Sequence, residues 1–224
     1  MRKISPEERQ IMRRSYAEKI METVRTEGFI SLTILDLAHL MGISRASLYN
    51  FFASKEDIIL EVTEIYIEYL KKTNHFINNP RFSYVQRLPT VFEQSAFSAV
   101  YASEIYLDEL KSTCPDLYKR KLEIAAARIE TLHTFYTNGI SDGDFNPLNP
   151  SLVIAQDEAA LRKILNSSFM SDEGLSLEES MYGYYEIMKH RTFTPGSLKK
   201  EQDPYIKNVV EVIVSQLTKI NKLA

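Results

Sequence analysis

Residues 28–55 read GFISLTILDLAHLMGISRASLYNFFASK, and the spacing of caps, turns and apolar positions in this stretch decides the fold. Thr33 is placed to cap a helix, with Asp36 putting a carboxylate into its electropositive first turn. Leu37, Ala38 and Met41 share one face of that helix and point to a core. Gly42 stands where the chain must leave the helix with a positive φ, which glycine adopts at little steric cost. Ile43 plugs the core from the turn and Ser44 caps the next helix. Within that helix Leu48, Phe51 and Phe52 face inward, which leaves Arg45, Ala46, Ser47, Tyr49 and Asn50 outward or along the edges. Ser54 then caps a further helix opening Lys55-Glu56-Asp57, again with acids in the first turn. Two short helices around one tight turn have the spacing of a helix-turn-helix, a unit whose second helix enters the major groove of DNA.

The helix ahead of this stretch has its own signals. Ser5-Pro6-Glu7-Glu8 is a capping box with proline at the first helical position, and Gly28 closes the helix. Ala17, Ile20, Met21 and Val24 form its apolar face. Arg9, Arg13 and Arg14 lie on its first half, behind Arg2 and Lys3, either as a DNA-facing basic segment or as a solvated charged face.

These residues resemble the DNA-binding domain of the tetracycline-repressor (TetR) family of bacterial regulators. The resemblance rests on Leu37-Ala38, Gly42-Ile43-Ser44, Leu48-Tyr49, Phe52 and Ser54-Lys55-Glu56, which agree in order and spacing. It covers roughly the first 60 to 70 residues, the usual extent of such a module. It implies double-stranded DNA as a partner, a homodimer built from two late helices of each subunit, and a small-molecule effector bound in the body. It also implies backbone contacts from the leading basic segment. The candidate DNA-binding residues are Thr33, Ser44, Arg45, Ala46, Ser47, Tyr49, Asn50 and Lys55. Arg45 suits the O6 and N7 edge of guanine, and Asn50 suits adenine. Ser47 and Tyr49 are placed for phosphate oxygens. Lys55 joins a charge to the free N–H groups of a helix start, and Thr33 offers the same at its own helix.

Scarce glycine (7) and proline (8) in 224 residues, with long stretches of helical period, predict an all-α chain. The division expected is a helix-turn-helix head over 1–55, a connecting helix over 54–74 and a helical effector-binding and dimerisation body over 75–224. The net charge of -3 excludes a generally basic nucleic-acid binder. Yet residues 1–55 carry 9 Lys+Arg against 6 Asp+Glu, so a mildly basic end sits on an acidic remainder.

Beyond the connecting helix, Pro89 is expected to break the chain, and helices are expected near 90–112, 116–138, 150–170, 178–190 and 203–222. The stretches 139–150 and 192–197 read as loops. The last helix carries a stripe of Ile206, Val209, Val210, Ile213, Leu217 and Ile220, with Val212 and Val214 beside it. Such excess apolar surface fits either a deeply buried helix or one that also meets a partner, and the helix near 150–170 invites the same reading. Phe92, Phe97, Tyr101, Tyr106, Phe135, Tyr136 and Phe169 are aromatic candidates for an effector pocket or for ordinary core. Phe92, Phe97, Tyr101, Phe135 and Phe169 are the ones carried forward as effector-binding.

Catalytic patterns are missing, so an enzyme is not expected. His39, His75, His133 and His190 have no paired metal spacing. Asp142, Asp144 and Asn146 begin like a calcium loop, but Pro147 replaces the required glycine and Val153 the final glutamate. No metal or cofactor is expected. A single cysteine, Cys114, precludes an intrachain disulfide and suits a reducing cytoplasm. MRKISPEERQ has no apolar run of the secretory type, and no stretch approaches a membrane span. Two other classes stay open: a co-regulator whose head binds a protein, and a small helical enzyme or carrier that has borrowed the motif.

Overall fold

Helix caps set the architecture. The computed structural model describes residues 4–101, 103–165, 167–198 and 205–221, without the side chains at 22, 25, 26, 100, 101, 167 and 218–221. Among the described residues the chain forms helices and no strand. They are α1 (Pro6–Glu27), α2 (Ile34–Met41), α3 (Arg45–Phe51), α4 (Lys55–Ile77), α5 (Tyr84–Tyr101), α6 (Glu104–Thr113), α7 (Pro115–Ser141), α8 (Pro150–Ile164), α9 (Ser167–Asp172), α10 (Leu177–Thr192), α11 (Pro195–Leu198) and α12 (Ile206–Asn221). None of them is long and apolar enough to cross a membrane. Arg2, Lys3 and the side chains of Tyr101 and Ile220 lie outside the described residues.

The chain divides by its contacts into two units, one of Met1–Tyr69 with Tyr101–Ile124, the other of Leu70–Val100 with Ala125–Ala224. This differs from the division expected at residue 75, because α6 and the start of α7 go with the first unit. Their apolar side chains explain why. Tyr106, Leu110 and Leu117 are buried in one cluster with Ala17, Ile20, Leu37, Met41, Leu48, Phe52 and Ile58. Burial of that kind is worth about 1.5–3 kcal/mol per large side chain, so α6 is part of the core that holds α1–α4.

In the second unit an aromatic group centres on Phe145, whose ring meets Tyr84, Phe135 and Phe193 at 4.8, 5.2 and 5.1 Å. Gly139 admits that ring, because a Cβ there would run into it. The two expected loops are clipped together by an isolated antiparallel bridge between Phe145 and Phe193. Asn146 N–H donates to Thr192 O at 2.8 Å, and Thr194 N–H to Asp144 O at 2.9 Å.

Several expected borders are corrected. The single helix at 90–112 is two, because Ser103 is extended (φ -64, ψ 146) and caps α6 by accepting from Tyr106 N–H. Pro89 lies inside α5 and does not end it. The helix starts earlier, at a box in which Gln86 Oε1 accepts from Ser83 N–H at 2.9 Å and Ser83 Oγ from Gln86 N–H at 3.3 Å. The helix expected at 150–170 is likewise divided into α8 and the short α9.

Candidate nucleic-acid interface

The turn between α2 and α3 forms as its residues demand. Thr33 and Asp36 make a reciprocal capping box, and the Thr33 hydroxyl, its largest influence, holds the Asp36 carboxyl below its ordinary range. Gly42 is left-handed (φ 71, ψ 33), and Ile43 N–H returns to Ala38 O at 3.0 Å, which closes α2. Ser44 Oγ accepts from Ser47 N–H at 3.1 Å and lies 2.9 Å from Ser47 Oγ. That geometry turns α3 so that Leu48 and Phe51 are buried while Arg45, Ala46, Tyr49 and Asn50 are exposed, with Ser47 half-buried. Tyr49 keeps 47% of its surface, so it is not a core aromatic. The Arg45 guanidinium lies 5.8 Å from the centroid of its ring, which keeps the two on one face.

Thr33 is exposed at the N-terminus of α2, but its hydroxyl is already engaged with Asp36 Oδ2 at 2.7 Å. Lys55 is similarly committed. Its Nζ donates to Ile30 O at 2.9 Å and Leu32 O at 2.6 Å, pinning the α1–α2 loop to the start of α4. One ammonium proton is left for a phosphate.

The arginines of α1 divide into structural and solvated groups. Arg13 is not a free basic residue. It forks onto Asp57 (2.7 and 3.0 Å), reaches Glu61 at 3.1 Å and Phe51 O at 2.6 Å, and covers the Phe52 ring at 4.6 Å. It therefore ties α1 to the end of α3 and the first turns of α4. Arg14 pairs with Glu68 and Glu18, and Arg9 is exposed. A second tie comes from α6: the Glu109 carboxylate accepts from the N–H groups of Phe29 and Ile30, the former contact being short. Gly28 makes room for it with φ 79 and no Cβ, which would strike that carboxylate. The Ser5 and Ser44 caps were legible nearby in the chain; Glu109, 80 residues from Phe29, had no local signal.

Of the aromatics expected at an effector site, Phe92, Phe97, Phe135, Tyr136 and Phe169 are dispersed through the second unit, while Tyr101 and Tyr106 fall in the first. Phe92, Phe97 and Phe135 are fully buried; Phe92 meets Tyr185 at 5.3 Å, and Phe135 belongs to the Phe145 group. Phe169 is half-buried with the Lys163 ammonium 5.2 Å from its centroid. Tyr106 belongs to the first unit, where its hydroxyl meets Thr63 Oγ1 at 2.5 Å and burial raises its pKa to about 12. Burial pushes the Cys114 thiol pKa up, which disfavours a thiolate there. Among the described residues no group of three His, Cys, Asp or Glu side chains could hold a metal ion.

A polar face on the second helix of a helix-turn-helix, held by caps and a buried core, defines the class of DNA-binding regulators. Residues 18–62 match the sequence profile of bacterial regulatory proteins of the tetR family, which places this N-terminal module among the DNA-binding modules of that family. Among solved structures it is similar to the ketosteroid transcriptional regulator KstR2 of Mycobacterium tuberculosis. The TM-score is 0.61 at 20% identity, covering 81% of this chain and 95% of that one. A TetR-family regulator PfmR from Thermus thermophilus aligns with TM-score 0.56 at 20% identity, over 77% and 96% of the two chains. A transcriptional regulator from Saccharomonospora viridis, solved in complex with choline, aligns with TM-score 0.59 at 16% identity, over 81% and 97%. At these identities the likeness is one of fold. No curated protein matches the chain in sequence.

Proposed function

We propose that this TetR-family regulator binds DNA in a sequence-specific manner and represses, and that a small-molecule effector releases it from a near-palindromic operator. The observation that carries the reading is the exposed Arg45, Tyr49 and Asn50 face of α3, fixed from behind by buried Leu48 and Phe51. Arg45 and Asn50 read guanine and adenine edges, Ser47 and Tyr49 hold phosphates beside Ser44 and Ala46, and Lys55 and Thr33 flank them at helix starts. The site of action is the cytoplasm.

Homodimerisation is supported by apolar surfaces that the second unit leaves exposed. Leu152 of α8 is 70% exposed with Ala155 and Ala159 on successive turns, and Ile187 of α10 is 59% exposed one turn beyond exposed Gly183. Nothing lies near the position a Cβ would take at Gly183, so a glycine that costs the helix about 1 kcal/mol is unexplained within one subunit and suits close approach of a second. Two recognition helices would then read half-sites about 34–36 Å apart, or a multiple of that. Leu152→Glu with Ile187→Glu is expected to give a folded monomer in light scattering; an unchanged dimer would place the interface elsewhere.

The effector-binding body is assigned to the second unit, with Phe92, Phe97, Phe135 and Phe169 as lining candidates, while the fifth candidate, Tyr101, falls in the first unit. Shifting the protein from ~99% to ~1% competent requires about 5.5 kcal/mol of preference for the released state.

The deciding experiment is binding to DNA from just upstream of the protein's own gene, across a salt series, beside the Arg45→Ala, Asn50→Ala double variant. Loss of two bidentate contacts is expected to cost about 2–6 kcal/mol of selective binding while leaving the steep salt dependence largely intact. Absence of binding there and in a selection from random DNA would sink this reading and favour a protein partner for the same face.

A further inference from the structure

Residues 29–32, between α1 and α2, are held by two oppositely charged side chains and not by one another. Among the described residues no main-chain hydrogen bond joins any two of the four. The polar groups of Phe29, Ile30 and Leu32 pair with side chains instead. Half-buried Glu109 of α6 accepts from the N–H groups of Phe29 and Ile30 through one oxygen, the latter at 2.9 Å. Gly28, at φ 79, leaves that carboxylate its room. Lys55, at the start of α4, takes the other side of the loop through Ile30 O and Leu32 O at 2.9 and 2.6 Å. Ile30 thus stands between an anion on its N–H and a cation on its C=O. An ammonium has three N–H bonds at tetrahedral angles, so fixing two of them sets the direction of the third. Fixing only one leaves the group free to turn about that bond.

We infer that Glu109 is a positioning residue for DNA binding, which acts through the 29–32 loop to aim the remaining N–H of Lys55 at a backbone phosphate. This rests on the DNA-reading function above and adds to it a residue that itself touches only protein. A carboxylate repels DNA, so plain electrostatics predicts tighter binding when Glu109 is removed. Positioning predicts the opposite sign.

The test measures binding of the full-length protein to two duplexes, DNA from just upstream of its own gene and a random sequence of equal length, from about 50 to 200 mM salt. Glu109→Asp keeps the charge but falls one methylene short of the loop, and Glu109→Gln keeps the reach without the charge. Glu109→Gln is expected to share the wild-type slope of log affinity against log salt. Glu109→Asp and Glu109→Ala are expected to be shallower by about 0.9 for each reading head, with binding about tenfold weaker per head near 0.1 M salt. Lys55→Met should show the same shallower slope, and adding Glu109→Asp to it should change nothing further. A merely structural role would lower the melting temperature and leave the slope alone, so circular dichroism melts accompany every variant. A wild-type slope in Glu109→Asp, tighter binding by Glu109→Ala, or a further loss when Glu109→Asp joins Lys55→Met each overturns the inference. The Asp and Gln variants decide the matter even if Glu109→Ala folds poorly. Wild type that binds neither duplex overturns the DNA-reading function together with the inference, whereas normal binding with a slope indifferent to Glu109 overturns the inference alone.

Discussion

Arg13→Ala is expected to destabilise the first unit by about 3 kcal/mol, because it strands two carboxylates that share one cation. Asp57 and Glu61 lie 25% and 9% exposed at their side chains, and both depend on the same guanidinium, itself 16% exposed. The variant also frees Phe51 O, the last carbonyl before α3 gives way to the turn into α4. The sequence contains no tryptophan, so unfolding is best followed by far-ultraviolet circular dichroism in urea. Hydrogen exchange should quicken in α1, α3 and the start of α4. The pH dependence carries a sign that checks the cause. Arg13 holds the Asp57 carboxyl below its ordinary 3.8, so the stability it supplies is complete above that value and is lost as pH falls through the lowered one. The gap between wild type and variant should therefore narrow below about pH 3.8. A constant gap would mean that lost packing on Phe52, not the charge pair, carries the effect.

Arg191→Ala is expected to cost the second unit about 3–5 kcal/mol. Asp157 is 3% exposed and receives Arg191 through both Nη atoms at 2.9 and 3.0 Å, with the Tyr184 hydroxyl at 2.7 Å. Burial, reinforced by that carboxylate, pushes the Tyr184 and Tyr136 hydroxyls well above their ordinary values, so both remain neutral hydrogen-bond donors. Without the arginine, the carboxylate keeps only neutral partners. Asp157→Leu combined with Arg191→Met should recover most of the loss, since removing both charges leaves no orphan. A double variant as unstable as Arg191→Ala would show that packing of α8 against α10, and not charge pairing, sets the cost.

How much of this was legible in the chain depends on the range of the interaction. The N-terminal helices could be read from Thr33, Gly42 and Ser44, because caps and left-handed turns are decided within four residues. The Ser83–Gln86 and Ser103 caps were equally local. The first stands ahead of Pro89, which the helix carries inside it, and the second interrupts a long apolar pattern that continues to residue 112. A proline in α5 is tolerated because helix formation is decided by the whole segment and its packing, not by one missing N–H. Arg13 and Glu109 belong to another kind. The carboxylates that Arg13 holds stand 44 and 48 residues away in the chain, and the N–H groups that Glu109 seats stand 79 and 80 away. Only the folded molecule distinguishes such a strut from a solvated charge. Lys55 lies between these cases: its place at a helix start was readable, but its hold on Ile30 and Leu32 was not.

The docking of Tyr106, Leu110 and Leu117 beneath α1–α4 bears on how such a protein can be recombined. Its DNA-reading end is written in two instalments, interrupted by residues 70–100. A graft spliced only at residue 69 would arrive with an open apolar socket and with Phe29 and Ile30 missing the carboxylate that seats their loop. Exchanging specificities with another regulator therefore needs two matched junctions, or a donor whose own α6 can fill the same socket.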